Sequence, residues 1–242
     1  MAGFVDVHAH LVFGVDDGAR SLTEAVAMLT EARDTGTRLV FATPHIVPGY
    51  KGWTASAARI ARIRRNFDLL SEHVPPGIKL RFGFEVTACP HRLRAADDPA
   101  RFRLAGTELV LVDGPQLGPW LGDTTMERYV GRVRSEGLTP ILAHPERRAA
   151  WRGEHDLGFA ERLKNAGALL QLDASGLTGG DGSAAQIEAH RLLRAGLIDL
   201  ISSDGHGQRS PVRLDIARDL AATIVGEAAA ARLVDGSALG IS

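Results

Sequence analysis

Short apolar, β-branched runs alternate with longer amphipathic segments along the whole chain, the pattern of repeated β/α units that build a parallel sheet. The runs Phe4 to Val7, Leu39 to Thr43, Leu80 to Glu85, Leu109 to Asp113, Thr139 to Ala143, Leu169 to Leu172 and Leu200 to Ser203 predict seven strands. Between the first two, the capping-box sequence Ser21-Leu22-Thr23-Glu24 opens a helix that runs to Asp34. Further helices are expected over 55–73, 123–136, 155–165, 184–195 and 211–222, followed by an alanine-rich surface helix over 227–234. Gly36, Gly137, Gly167 and Gly196 each stand where a helix C-terminus leads into the next strand. The stretch from Gly176 to Gly182 reads as a βα loop. No linker or low-complexity tract divides the chain, so residues 1–242 are expected to form one domain. With no Gly-rich phosphate loop after the first strand, a seven-unit β/α barrel is favoured over an open doubly wound sheet.

Composition narrows the class. A chain of 242 residues that is 45% hydrophobic and 24% charged can bury one sizeable core. The 28 lysines and arginines against 29 acidic residues leave no basic field for a nucleic-acid partner. No apolar stretch approaches the roughly 18 residues of a membrane span. Met1 to His10 lack the basic start and apolar run of a signal peptide, and the single Cys89 cannot form an intramolecular disulfide. A cytoplasmic protein is therefore expected. Nine histidines, against one cysteine and two tyrosines, call for a separate explanation.

Five of them follow a rule of position. The first predicted strand runs into Asp6-Val7-His8-Ala9-His10, and because residues two apart in an extended chain share a face, His8 and His10 project together and can bind one metal ion. Other metal-competent side chains stand at or just past the ends of other strands: His45 after the second, Glu85 ending the third and Asp113 ending the fourth. His144 follows the fifth, and Asp204 with His206 follow the seventh. In a barrel of parallel strands those ends converge on one face, where βα loops build active sites. The first βα loop adds the turn Asp16-Asp17-Gly18. Imidazole and carboxylate without thiolate suit zinc, manganese or iron in a hydrolytic site. Nine candidate positions, counting Asp17, exceed the needs of one ion and suffice for two or three that share a carboxylate.

Taken together, Asp6-Val7-His8-Ala9-His10, Val15-Asp16-Asp17-Gly18-Ala19, Ala42-Thr43-Pro44-His45, Gly83-Phe84-Glu85, Ala143-His144-Pro145-Glu146-Arg147 and Ser203-Asp204-Gly205-His206 resemble the polymerase and histidinol phosphatase (PHP) superfamily. Within it they look most like the bacterial tyrosine-protein phosphatases of capsule and exopolysaccharide export. The resemblance implies a distorted (β/α)7 barrel of the TIM-like kind with three divalent ions, manganese first, and iron, zinc or magnesium as alternatives. It assigns His8, His10, Glu85 and Asp204 to one ion, Glu85, Asp113 and His144 to a second, and Asp17, His45 and His206 to a third. It also implies a catalytic part for Asp204, Arg147 and Arg209, the two arginines offering bidentate donors to a phosphate. The implied reaction is hydrolysis of a phosphomonoester by water activated between ions. The implied partner is the phosphotyrosine-containing tail of a membrane-associated bacterial tyrosine kinase. Two other readings stay open: a PHP phosphatase for a small molecule such as histidinol phosphate, and a catalytically silent interaction module.

Two positions depart from that family. Asp113 stands where it usually has glutamate, which shortens the reach by one bond, and Arg148 stands where an aromatic residue commonly follows the His-Pro-Glu-Arg block. Cys89-Pro90 has no Gly-rich, Arg-containing context, so a cysteine-dependent phosphatase mechanism is unavailable and a structural thiol is expected. Asp6 is expected to orient a ligand imidazole, Asp16 to serve the turn beside it, and Glu146 to cap its own turn. His91 is a candidate for the substrate entrance, and His73, His155 and His190 are read as surface residues.

Overall fold

All seven expected strands form, and every strand pairing is parallel, in the computed structural model, which describes residues 3–47, 54–88, 99–114, 123–148, 157–207 and 210–241. Two of them are split, so the elements are β1 (Phe4–Ala9), β2 (Thr37–Ala42), β3 (His45–Ile46), β4 (Lys79–Phe82), β5 (Glu85–Thr87), β6 (Leu109–Asp113), β7 (Thr139–Ala143), β8 (Leu169–Asp173) and β9 (Leu200–Ser202). Pro44 lacks the N–H that would carry the ladder from β2 into β3. At Gly83, between β4 and β5, a Cβ would lie 2.4 Å from Leu104 Cδ2, so only glycine lets the two segments meet there. Backbone bonds from Gly83 to Ala42 O (3.0 Å) and from Glu85 to Pro44 O (3.2 Å) keep the neighbours joined across both breaks. The order β1-β2-β4 thereby continues into β3-β5-β6-β7-β8-β9.

The ring closes between β9 and β1 in two different ways. At the C-terminal end of the strands Asp204 N bonds His8 O and His10 N bonds Gly205 O, both at 2.9 Å. At the opposite end the seam is filled from elsewhere: Val5 N donates to Val234 O and Ile201 N to Leu233 O, each at 2.7 Å. The alanine-rich C-terminal segment, expected as a bare surface helix, is α8 (Glu227–Arg232 once α1 to α7 are counted) and leads directly into this plug.

Inside the ring, Val5, Val7, Leu39, Phe41, Leu109, Leu111, Ile141, Ala143 and Leu200 form one cluster, contributed by alternate positions of the strands. The intervening residues Val110, Val112, Leu142, Leu170, Leu172 and Ile201 pack outward against helices. A register irregularity of β1 against β2 between Asp6 and Ala9 breaks the alternation, so Val7 packs inside while its neighbour His8 reaches the rim. The outer helices are α1 (Leu22–Asp34), α2 (Ala57–Ser71), α3 (Asp123–Ser135), α4 (Leu157–Asn165), α5 (Ala174–Thr178), α6 (Ser183–Arg194) and α7 (Asp215–Val225). Ser21 and Ser56 cap α1 and α2 through side-chain oxygens, the first as its capping box predicts.

One loop expectation is corrected. The Gly176 to Gly182 stretch is not all loop, because the five-residue α5 starts directly after β8 with Ala174, Gly176 and Leu177 buried. Gly176 serves close packing there: a Cβ would stand 2.5 Å from Glu146 Oε1.

Candidate metal centre

Strand ends bring the nine predicted ligand residues to one face, and eight of them fall into groups whose donor atoms lie within 4.8 Å of one another. The groups are His8, His10 and Asp204; His8, Glu85 and His144; and His10, Asp17, His45 and His206. Gly18 allows the first loop to reach them, since a Cβ there would sit 2.2 Å from His10 O. Two of the ligand residues hold left-handed backbone, His144 at φ 37° and Asp204 at φ 47°. That conformation costs about 1–3 kcal/mol in a residue other than glycine and persists where surrounding structure dictates it, as at functional sites.

Distances at the centre match a coordination sphere. Asp204 Oδ1 lies 3.0 Å from His8 Nε2 and 3.1 Å from His10 Nε2, and these two nitrogens are 3.2 Å apart. Glu85 Oε2 is 3.5 Å from both nitrogens and 2.6 Å from His45 Nδ1, while its Oε1 is 3.1 Å from His144 Nε2. Asp17 Oδ1 stands 3.5 Å from both His45 Nε2 and His206 Nε2. Bonds of about 2.0–2.2 Å to a common ion, at angles of about 90–110°, separate ligand atoms by about 3–3.5 Å. Asp204 Oδ1, Glu85 Oε2 and Asp113 Oδ1 are buried and make no hydrogen bond of acceptable geometry, so the donor set fits cations better than it fits its own protons.

The imidazoles are aimed from behind. His8 Nδ1 donates to Gln171 Oε1 and His10 Nδ1 to Asp16 Oδ2, both at 3.0 Å, which turns each Nε2 lone pair toward the centre. Gln171 Nε2 is fixed in turn on Leu172 O at 2.8 Å. Asp16 also accepts from Gly18 N (3.1 Å) and His45 N (3.1 Å), tying two loops together as well as shaping the turn. Arg59, a buried arginine of α2, donates to His45 O at 2.8 Å and to Val15 O at 2.9 Å. Asp6 does not orient an imidazole. Its Oδ1 accepts from the backbone of His8 (3.2 Å) and Ser203 (3.1 Å), fastening β1 to the end of β9.

Electrostatics follow from burial and neighbours. Burial would raise the Glu85 and Asp204 carboxyls, but the facing histidines, His45 and His8 for Glu85 and His8 for Asp204, hold both well below the carboxylate range. Burial and the Glu85 charge push Asp113 up to about 8. Burial and Arg147 depress His144 to about 4, so it offers a lone pair over the whole neutral range. Asp113 stands apart from the three groups, its Oδ1 3.9 Å from His144 Nε2 and its Oδ2 accepting from Thr87 Oγ1 at 3.0 Å.

Arg147 lies beside the centre with Nη2 2.8 Å from Asp204 Oδ2, and it also pairs with Asp173 and Asp181. Those two acids, with Gln171 and Arg59, were missed from the sequence. Asp173 is one residue past the predicted end of the sixth strand, and Gln171 is a lone amide in an apolar run, so each had a readable signal. Arg59 and Asp181 had none. Glu146 is buried and, besides serving its own turn, caps the end of β8, accepting from Asp173 N at 3.1 Å. Arg148 stacks on Phe159 of α4 with its guanidinium 3.8 Å from the ring centroid. His73 is exposed at the end of α2 and His190 half-buried on α6, both away from the rim. Arg209, His91, Cys89 and His155 lie outside the described residues.

The tyrosine-protein phosphatase YwqE of Bacillus subtilis (strain 168) is 27% identical over 216 residues, 85% of this chain and 78% of that protein. Crystal structures of YwqE from Bacillus subtilis and CpsB from Streptococcus pneumoniae, described as metal-dependent tyrosine phosphatases, give a TM-score of 0.77 at 23% identity, covering 95% of this chain and 90% of the matched one. A histidinol phosphate phosphatase from Lactococcus lactis, crystallised with zinc, L-histidinol and phosphate, shares the fold at a TM-score of 0.58 and 14% identity over 93% of this chain and 94% of its own. Residues 4–238 match the family described as capsular polysaccharide synthesis, CpsB/CapC. That span runs from the first residue of β1 past the Leu233-Val234 plug and takes in every candidate ligand of the rim, so the chain belongs to the CpsB/CapC capsular polysaccharide synthesis family.

Proposed function

We propose that this protein is a metal-dependent phosphomonoester hydrolase, a protein-tyrosine phosphatase that acts on the phosphotyrosine-containing tail of a membrane-associated bacterial tyrosine kinase in capsule or exopolysaccharide synthesis. The observation that carries the reading is a pair of buried carboxylate oxygens, Asp204 Oδ1 and Glu85 Oε2, that make no hydrogen bond of acceptable geometry and stand 3.0–3.5 Å from the aimed Nε2 atoms of His8 and His10. Three divalent ions, manganese first, would be held by His8, His10, Glu85 and Asp204; by Glu85, Asp113 and His144; and by Asp17, His45 and His206. When bound, such ions supply an activated water and neutralise phosphoryl oxygens.

The chain itself does the rest. Glu85 presents one oxygen toward His144 and the other toward His8, His10 and His45, the arrangement of a carboxylate shared between ions. Asp16 and Gln171 keep His10 and His8 in the tautomer that binds. Arg147, 2.8 Å from Asp204 Oδ2, stands within reach of a phosphate held at the centre, and Arg209 is assigned the same task. A tyrosyl leaving group, with a pKa of about 10, departs with less protonation than an alkoxide needs. The names of the matched relatives support this substrate.

The test is turnover of a phosphotyrosine peptide, a phosphoserine peptide and histidinol phosphate by the manganese-loaded protein. Phosphotyrosine should be preferred. Preference for histidinol phosphate would replace the substrate, and no turnover of any, together with substoichiometric metal after loading, would leave a silent interaction module.

A further inference from the structure

We propose that Asp173 and Asp181 are positioning residues, which grip Arg147 by Nε and Nη2 so that its Nη1 is presented to a phosphoryl oxygen at the metal centre. The inference rests on the phosphate-binding role given to Arg147 above.

The geometry is that of a cradle. Asp181 Oδ2 accepts from Arg147 Nε at 2.7 Å, and Asp173 Oδ2 accepts from Nη2, so two carboxylates occupy one edge of the planar guanidinium. The remaining side of Nη2 faces Asp204 Oδ2 at 2.8 Å. Nη1 has no partner among the described residues. The cradle is itself braced. Ser175 Oγ donates to Asp181 Oδ1 at 2.8 Å, and the backbone N–H of Asp173 is held by Glu146 Oε1 at 3.1 Å.

Apart from Glu146, which follows β7, these groups come from β8, α5 and the turn before α6, the βα unit from which no metal ligand is predicted. By distance alone Glu146, Asp173 and Asp181 resemble a further cation site, but the cation already there is the guanidinium of Arg147. An arginine on a turn samples many rotamers; one fixed on two carboxylates meets a phosphate already aimed.

Asp181 is partly exposed, so Asp181→Asn is the primary variant, and the buried Asp173→Asn is the second. With the manganese-loaded protein, Asp181→Asn should raise both the inhibition constant of inorganic phosphate and KM for a phosphotyrosine peptide about tenfold, the lower end of what a supporting residue contributes. Saturated kcat, manganese content and Tm should stay near those of the parent. Asp181→Glu should restore most of the phosphate affinity. In an Arg147→Ala background Asp181→Asn should change nothing further. An unaltered phosphate constant in Asp181→Asn, or an equal effect with and without Arg147, would overturn the positioning role. If Arg147→Ala itself leaves phosphate binding unchanged, the role of Arg147 fails first, independently of its neighbours.

Discussion

On the side of the rim built by β1, β3 and β9, the basic role is carried by His8, His10, His45 and His206 among Glu85, Asp17 and Asp204. On the side built by β7 and β8, it is carried by Arg147 among Glu146, Asp173 and Asp181. Both sides crowd carboxylates into a buried place, and both satisfy the distance criterion for a metal group. They differ in the cation. An imidazole can give up its proton and accept an ion in exchange, whereas a guanidinium keeps its charge at any pH a protein survives. The side chains around Arg147 register the permanent neighbour: burial raises Glu146 to about 8, and Arg147 and the backbone donors only partly offset it. A cluster of acids is therefore a metal site only where the basic partners can step aside.

The largest test of that contrast is ligand removal on the imidazole side. His45→Ala and Asp204→Ala should each lose manganese and at least about a hundredfold in kcat, with an unchanged far-UV circular dichroism spectrum. Chelation of the intact protein should likewise abolish turnover and be reversed by manganese, while the Arg147 cluster needs no metal to persist. Retained activity after exhaustive chelation would erase the distinction between the two sides. Next in size is the support behind the ligands: Asp16→Asn should weaken manganese binding about ten- to hundredfold, measured by competition with a chelator. Gly176→Ala on the arginine side should lower stability by about 1–3 kcal/mol, read from thermal melting, because its new methyl meets Glu146. At the far end of the scale, His190→Ala should leave both metal content and turnover unchanged.

The candidate ligands were legible because they obey a positional rule. All but Asp17, which the first βα loop carries, stand where a parallel strand ends, and His8 and His10 are two apart in an extended segment. What lies behind them follows no such rule. Arg59 reaches two carbonyls from a helix whose outward pattern shows only an arginine among arginines. Asp181 meets Arg147 across 34 positions, in a stretch whose glycines suggested only a loop. Asp6 looked like a tether for an imidazole and proved to hold the backbone of His8 and Ser203. The outline of the barrel was readable in period and punctuation, but its breaks at Pro44 and Gly83 needed the tertiary contacts to interpret.

The seam between β1 and β9 sets an order of events during synthesis. His8 and His10 are made nearly two hundred residues before Asp204 and His206, which face them across that seam. The opposite end of the seam stays open until Leu233 and Val234 are made and can take the N–H groups of Ile201 and Val5. A nascent chain thus carries an incomplete candidate site throughout its elongation, and the vectorial growth that lets many domains fold piecemeal gives no finished centre here until the last turn of the barrel is in place. Premature termination before residue 200 would release a thiol-poor, imidazole-bearing fragment with an unsealed β edge, a species that quality control would meet as an aggregation hazard rather than as a weak enzyme.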